Sequence, residues 1–309
     1  MNQSQDCPQQ QATSGKVCFV QSYAKINLTL DVLGKRADGY HELATIMQTI
    51  DLYDTLCFTT TNEDRISMSC NRTELSNDNN LVVRAAQALR QKLGLRQGLT
   101  IELNKRVPVA AGLGGGSSNA AATLLALQRW WQLPVSMQEL WEIAASLGSD
   151  VPFFLTGGLA LCEGRGERIT PLAAHWPAAM RWLLLVKPAI GVSTATVFRN
   201  LTSSDYTNGA WSRAIEVALQ TQSGLQASDL YNSLERGVLA QYPEVAQARQ
   251  EMLDAGAPYV RLSGSGPTLF STFATLTEAA PVQQALHTQG YEVYLTRAIN
   301  PANNDITYF

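Results

Sequence analysis

The sequence contains no run of about 18 consecutive apolar residues, the length a membrane-spanning helix requires, and this sets aside a helical membrane protein. It is also poor in the residues that build metal centres. Its five cysteines (Cys7, Cys18, Cys57, Cys70, Cys162) are scattered and form no C-x-x-C pair, and its three histidines (His41, His175, His287) stand far apart. That pattern argues against a zinc site, assigns no metal ligands, and reads as free or buried thiols in a reducing, cytoplasmic setting. Charge of one sign is lacking too, with a formal net charge of -3. Without a basic footprint, nucleic acid and anionic membranes are poor partners, and an anionic ligand must be gripped by local devices such as backbone N–H groups and single lysines. Nothing points to an obligate protein partner. Residues 1–15 have neither an apolar core nor an arginine, so they read as a disordered tail, not a secretory or transit segment.

What is present suffices for a real interior: 45% of the 309 residues are hydrophobic, and the length favours two domains. In Ala24-Lys25-Ile26-Asn27-Leu28-Thr29-Leu30-Asp31-Val32 apolar and polar residues alternate, which predicts a strand with its odd and even positions on opposite faces. A turn at Ala37-Asp38-Gly39 leads to a second extended stretch over 45–60. Asn79-Asn80 can cap a helix ending at Leu93, with Gly94 as its stop. A strand over 99–103 precedes a glycine-rich segment and an alanine-rich helix, and Ser136 with Glu139 forms a capping box for another. Composition shifts between Pro171 and Pro177. Beyond it, strands near 182–186, 259–262, 269–273 and 291–296 alternate with helices near 214–220, 243–255 and 277–289, an α+β pattern with helices on one face of a sheet. The expected division is 16–172 and 173–309.

The densest chemical signal is Gly112-Leu113-Gly114-Gly115-Gly116-Ser117-Ser118. Glycine lets backbone approach a ligand closely, and the mouth of the following helix offers unpaired N–H groups and the positive end of its dipole, which suits phosphate. Ser117 and Ser118 can cap that helix and offer hydroxyls to phosphate or Mg²⁺. A Walker loop requires Gly-Lys-Ser/Thr, and here Ser117 follows Gly116. A dinucleotide fold requires the loop directly after a strand, and Pro108 interrupts that approach. Ser263-Gly264-Ser265-Gly266 reads on its own as a turn, as does Gly157-Gly158. Sequence alone selects neither Lys25, on a polar strand face, nor Asp150, which can simply cap a turn.

These segments together resemble the GHMP kinases. The carriers are Pro108-Val109-Ala110-Ala111-Gly112-Leu113-Gly114-Gly115-Gly116-Ser117-Ser118, Ala24-Lys25-Ile26-Asn27-Leu28, Gly39-Tyr40-His41-Glu42-Leu43, Gly148-Ser149-Asp150-Val151-Pro152 and Leu262-Ser263-Gly264-Ser265-Gly266, in family order from Val17 onward. The resemblance implies an α+β fold of two domains with a cleft between them, the first like domain 2 of ribosomal protein S5 and the second ferredoxin-like. It implies ATP as phosphoryl donor, bound by Pro108 to Ser118 with Asn80 and Lys105 near the adenosine, and assistance by Mg²⁺. It implies that Asp150 is the general base, Lys25 its cationic partner, and Asn27 an orienting group for the acceptor. The Tyr40 turn and Phe198 are similar to the branch whose small-molecule acceptor carries cytidine diphosphate. In that branch Tyr40 and Phe198 stack on the base, His41 bonds its edge, and the 263–266 turn closes over the phosphates. Two departures stand out. Ala110 and Ala111 occupy positions where some relatives have glycine, and no carboxylate stands out as an Mg²⁺ ligand.

Overall fold

The computed structural model describes residues 16–173, 176–221, 224–225, 229–300 and 306–308; the expected tail lies outside them. Alternating residues make β1 (Val17–Lys35) and β2 (His41–Thr61) a long antiparallel pair, joined by a turn in which the Arg36 N–H donates to the Tyr40 carbonyl at 2.8 Å. Strands this long must bend, and β1 does so at register shifts between Tyr23 and Ala24, Asn27 and Thr29, and Val32 and Gly34. β3 (Ile66–Cys70), α1 (Leu81–Leu93) and β4 (Gly98–Asn104) follow. Asn80 caps α1 by accepting from the Val82 N–H, and Gly94 ends it at φ 63°. α2 (Gly115–Trp130), α3 (Met137–Leu147), α4 (Phe153–Thr156), β5 (Leu159–Gly164) and β6 (Arg168–Pro171) complete the first half. The capping box on α3 is present, and Ser136 and Lys92 hold the Glu139 carboxyl down at about 2. Helices α1 to α3 bury Leu89, Leu124 and Leu140 against Phe58, Leu99 and Ile101 of the sheet, each side chain contributing about 1.5–3 kcal/mol.

The second half contains β7 (Trp182–Lys187), α5 (Thr194–Arg199), α6 (Ala210–Thr221), β8 (Tyr231–Asn232), α7 (Glu235–Gln241), α8 (Pro243–Asp254), β9 (Arg261–Leu262), β10 (Leu269–Phe273), α9 (Leu276–Thr288), β11 (Glu292–Thr296) and β12 (Ile306–Tyr308). Its own antiparallel sheet runs β11-β7-β10-β9, and α8 and α9 pack on it. β8 and β12 instead join the first sheet, parallel and antiparallel to β1 respectively. The apolar face of β1 also turns toward the second half: Ala24, Ile26 and Leu28 share a cluster with Leu183, Leu185 and Phe270.

Polar residues of β1 are buried as well, with Lys25, Asn27, Thr29 and Asp31 no more than 3% exposed. The shift after Asn27 reverses the alternation, so Leu30 joins Lys25 and Asn27 on the cleft while Thr29 and Asp31 turn to α6. The Asp31 carboxylate accepts from the Ser212 N–H (2.8 Å), the Ser212 hydroxyl (2.7 Å) and the Thr207 hydroxyl (2.6 Å), so it fastens the start of α6 to β1. One local expectation is corrected here. Gly114, at φ 70°, is the N-cap of α2 with no side-chain cap, and the helix begins at Gly115, so Ser117 and Ser118 lie inside its first turn.

Candidate active site

A cleft of about 950 Å³ is lined by residues of both halves. Its floor is the glycine-rich loop. Ala111 and Leu113 are buried apolar anchors, while Ala110, Gly112 and Gly114 take positive φ of 50°, 75° and 70°. For Ala110 that conformation costs about 1–2 kcal/mol; glycine would adopt it freely. A Cβ on Gly112 would stand 2.2 Å from the Ser263 carbonyl oxygen, so nothing larger fits where the two loops meet. The loop is moored to β1 by the Lys25 N–H, which donates to the Leu113 carbonyl at 3.0 Å, and to the second half by the Thr268 N–H on the Ala111 carbonyl at 3.4 Å. Helix α2 therefore opens onto the cleft with first-turn N–H groups that have no intrahelical acceptor, beside the Ser117 hydroxyl.

Lys25 and Asp150 meet above this mouth. Lys25 Nζ donates to Asn27 Oδ1 at 2.6 Å and to the Gly112 carbonyl at 3.0 Å, and lies 3.5 Å from Asp150 Oδ2. The ammonium is almost fully buried, whereas the carboxylate is 32% exposed on its cleft side. An acid that solvent or a ligand can reach, held beside a fixed cation, is arranged to accept a proton. Behind the pair, burial first and the Asp150 charge second push the Cys162 thiol up, so it stays neutral and inert.

Lys105 also lines the cleft, but its ammonium is committed beneath the loop. It pairs with Asp54, which is 0% exposed, and donates to Asn119 Oδ1 at 3.2 Å. Asp54 further accepts from the N–H groups of Arg106 (2.7 Å) and Val107 (2.8 Å) and from Asn119 Nδ2 (2.9 Å). The network continues through Ser22 to Ser118, whose hydroxyls lie 2.7 Å apart.

At the far end stand Tyr40, His41, Phe198 and Tyr206. The His41 ring lies 5.5 Å from Phe198 and 6.0 Å from Tyr206, while Tyr40 is 54% exposed with the Arg165 guanidinium 4.9 Å over its ring. Burial first, and the Lys35 charge second, hold the His41 pKa below its ordinary value. At neutral pH the imidazole is thus uncharged and presents one donor and one acceptor.

Of the residues singled out from sequence, Lys25, Asn27, Tyr40, His41, Asn80, Lys105, Pro108, Val109, Ala110, Ala111, Gly112, Gly114, Gly115, Gly116, Ser117, Asp150, Phe198, Gly264 and Ser265 line the cleft. Leu113, Ser118, Ser263 and Gly266 do not. Leu113 is core, Ser118 is turned to Ser22, the Ser263 hydroxyl is buried on the Gly112 carbonyl at 3.2 Å, and Gly266 precedes the cis peptide to Pro267. Sequence reading missed Arg165, Thr45, Tyr206 and Thr194, the last bonded to Ser265 at 2.7 Å. Only Thr194 carried a signal, since Ser193 before it caps α5.

Family models describe two parts of this chain: the GHMP kinases N terminal domain at residues 80–158 and the GHMP kinases C terminal at 216–292. The chain is 44% identical over 280 residues to the 4-diphosphocytidyl-2-C-methyl-D-erythritol kinase of Pelotomaculum thermopropionicum, covering 90% of this chain and 96% of that one. It is 40% identical to the kinase of the same name from Brevibacillus brevis, across 93% and 98% of the two chains. The chain belongs to the GHMP kinase family. A crystal structure of 4-(cytidine 5'-diphospho)-2C-methyl-D-erythritol kinase superposes with a TM-score of 0.78 at 33% identity, covering 91% of this GHMP kinase and 99% of that chain. A homoserine kinase from Cytophaga hutchinsonii, at 16% identity and a TM-score of 0.72 over 98% and 100% of the chains, shares the fold alone. The glycine loop and Asp150 lie within the matched N-terminal part, whereas Lys25, Asn27, Tyr40, His41 and Phe198 lie outside both matches.

Proposed function

We propose that this GHMP kinase transfers the γ-phosphoryl group of ATP to the 2-hydroxyl of 4-diphosphocytidyl-2-C-methyl-D-erythritol, in isoprenoid biosynthesis by the non-mevalonate route. The observation that carries the reading is the aromatic recess around a neutral His41, which shares one cleft with the Lys25–Asp150 pair and the mouth of α2. A flat pyrimidine suits such walls, and a neutral imidazole offers the donor and acceptor its edge requires. In this reading the triphosphate rests on the first-turn N–H groups of α2, with Asn80 and Lys105 toward the adenosine. Asp150 takes the hydroxyl proton as the acceptor oxygen bonds to the γ-phosphorus, and the bond to the departing ADP oxygen breaks. Lys25 offsets charge on the attacking oxygen and the phosphoryl group.

Mg²⁺ belongs to the same reading. Among the described residues no three His, Cys, Asp or Glu cluster as ligands, and at the mouth of α2 the cleft offers the Ser117 hydroxyl. That site fits an ion that arrives on the triphosphate and keeps most of its waters, with the Ser117 hydroxyl as its protein contact and Asp150 left free as the base. When bound, the ion neutralises charge on the phosphate oxygens. The division at residue 172, and a cytoplasmic setting, are part of the proposal; among the described residues no helix is long and apolar enough to cross a membrane.

The competing reading is a GHMP kinase with another acceptor. With the donor site saturated by a non-hydrolysable ATP analogue, CDP at about 100 times its Kd is expected to raise Tm by about 5 °C, and mevalonate or homoserine to leave it unchanged. Stabilisation by either alcohol and not by CDP would reverse the assignment. Arg165 extends the test. Its guanidinium braces the exposed face of Tyr40, so Arg165→Ala is expected to raise the acceptor KM about fivefold while the KM for ATP stays constant in steady-state assays.

A further inference from the structure

We infer that Thr45, a residue of β2 to which no role has been attached, is the positioning residue that sets the polarity of the hydrogen-bond chain ending on Lys25. The inference rests on the reading of Lys25 and Asp150 as the reacting pair. A primary amide has chemically opposite ends of nearly equal shape, so Asn27 serves Lys25 only when its oxygen, not its nitrogen, faces the ammonium. Thr45 decides which end that is. Its hydroxyl has one proton, and that proton goes to the Thr29 carbonyl. What remains on Thr45 Oγ1 is acceptor capacity, and Asn27 Nδ2 donates to it at 2.8 Å. With its nitrogen fixed there, Asn27 must point Oδ1 at Lys25 Nζ, the 2.6 Å contact that is the ammonium's shortest.

The order cannot be repaired by solvent, because Thr45 is 1% exposed and Asn27 and Lys25 are each 3% exposed. The register shift between Asn27 and Thr29 occurs beside this contact, where Thr45 stands opposite Leu30 on the ladder. Loss of the hydroxyl leaves a buried NH₂ without an acceptor. The amide can then rotate to aim that NH₂ at the ammonium, where donor faces donor. Lys25 retains the Gly112 carbonyl at 3.0 Å but loses the contact that holds it 3.5 Å from Asp150. The defect should therefore fall on the chemical step and not on ligand affinity, since the one proton of the Thr45 hydroxyl is committed to the Thr29 carbonyl.

Thr45→Val, Thr45→Ser and Asp150→Asn are compared with the parent enzyme in steady-state assays with ATP and 4-diphosphocytidyl-2-C-methyl-D-erythritol. Thr45→Val is expected to lower kcat about tenfold or more with both KM values within about twofold, and Thr45→Ser to return kcat to within about twofold of the parent. A merely structural role would move thermal stability in both variants and leave that split and rescue unseen. Should Thr45→Val fail to fold, Thr45→Cys, of similar size with a weak sulfur acceptor, carries the same expectation. The inference is overturned if Thr45→Val or Thr45→Cys turns over at the parental rate, if the loss lies in KM, or if Thr45→Ser is as slow as Thr45→Val, provided Asp150→Asn is inactive. Full turnover by Asp150→Asn overturns the pair itself, and this inference falls with it.

Discussion

Asp150→Asn is expected to bind ATP with nearly parental affinity and to turn over about 10²–10⁴-fold more slowly, the range that a positioned general base contributes. The substitution keeps the shape of the side chain and removes only its capacity to accept a full proton. Lys25 remains held by Asn27 at 2.6 Å and by the Gly112 carbonyl at 3.0 Å, so the cation does not collapse into the cleft. The N–H groups at the mouth of α2 are untouched, because the loop is moored through Lys25 N–H and Thr268 N–H and not through Asp150. Calorimetric titration with a non-hydrolysable ATP analogue, set beside steady-state turnover, separates the two effects. Parental turnover would remove Asp150 from the chemistry, and a binding loss equal to the kcat loss would make it a ligand contact.

The second large effect concerns folding. Asp54→Ala is expected to destabilise the protein by about 3–5 kcal/mol, the usual consequence of removing one partner from a buried ion pair. Asp54 is 0% exposed and satisfies four donors at once: Lys105 Nζ, the Arg106 and Val107 N–H groups, and Asn119 Nδ2. Without it the Lys105 ammonium keeps, among the described residues, only Asn119 Oδ1 at 3.2 Å, and two backbone donors are stranded where β4 hands over to the phosphate loop. Urea denaturation reads the loss as a lower midpoint at unchanged slope. Removing both charges, as Asp54→Asn with Lys105→Met, should recover much of the stability, since an uncompensated charge is the costly element. A deficit in the double variant equal to that of Asp54→Ala would show that the uncompensated Lys105 charge is not the costly element.

The parts legible in the sequence were those with short-range causes. Asn80 before Leu81, Ser136 with Glu139, and Gly94 after Leu93 announce helix ends because a cap needs only neighbours within a turn. The glycine loop was visible because close backbone approach admits so few residues. Asp54 gave no sign, since its meaning depends on Lys105, 51 residues away, and an acid in a strand looks solvated until its partner is placed. Ser118 was read as a phosphate contact from its adjacency to Ser117. Neighbouring residues on a helix point about 100° apart, and that rotation sends Ser118 to Ser22 while Ser117 faces the cleft. β8, only two residues long, carries no periodicity to detect. The alternation in β1 correctly predicted a strand but not that both faces would be covered, nor the shift after Asn27 that moves Leu30 to the face of Lys25 and Asn27 and Thr29 to the other.

The pairing of β1 bears on how this chain can be made and divided. Its free edge is closed at residues 18–20 by β12 and at 29–30 by β8, both synthesised long after it. The amino-terminal half therefore leaves the ribosome with a raw strand border that only the completed polypeptide can seal. Expressed as a fragment, that half would expose the border and the apolar Ala24-Ile26-Leu28 surface together, a template for aggregation, so the two halves are interdependent in assembly even though each carries its own sheet.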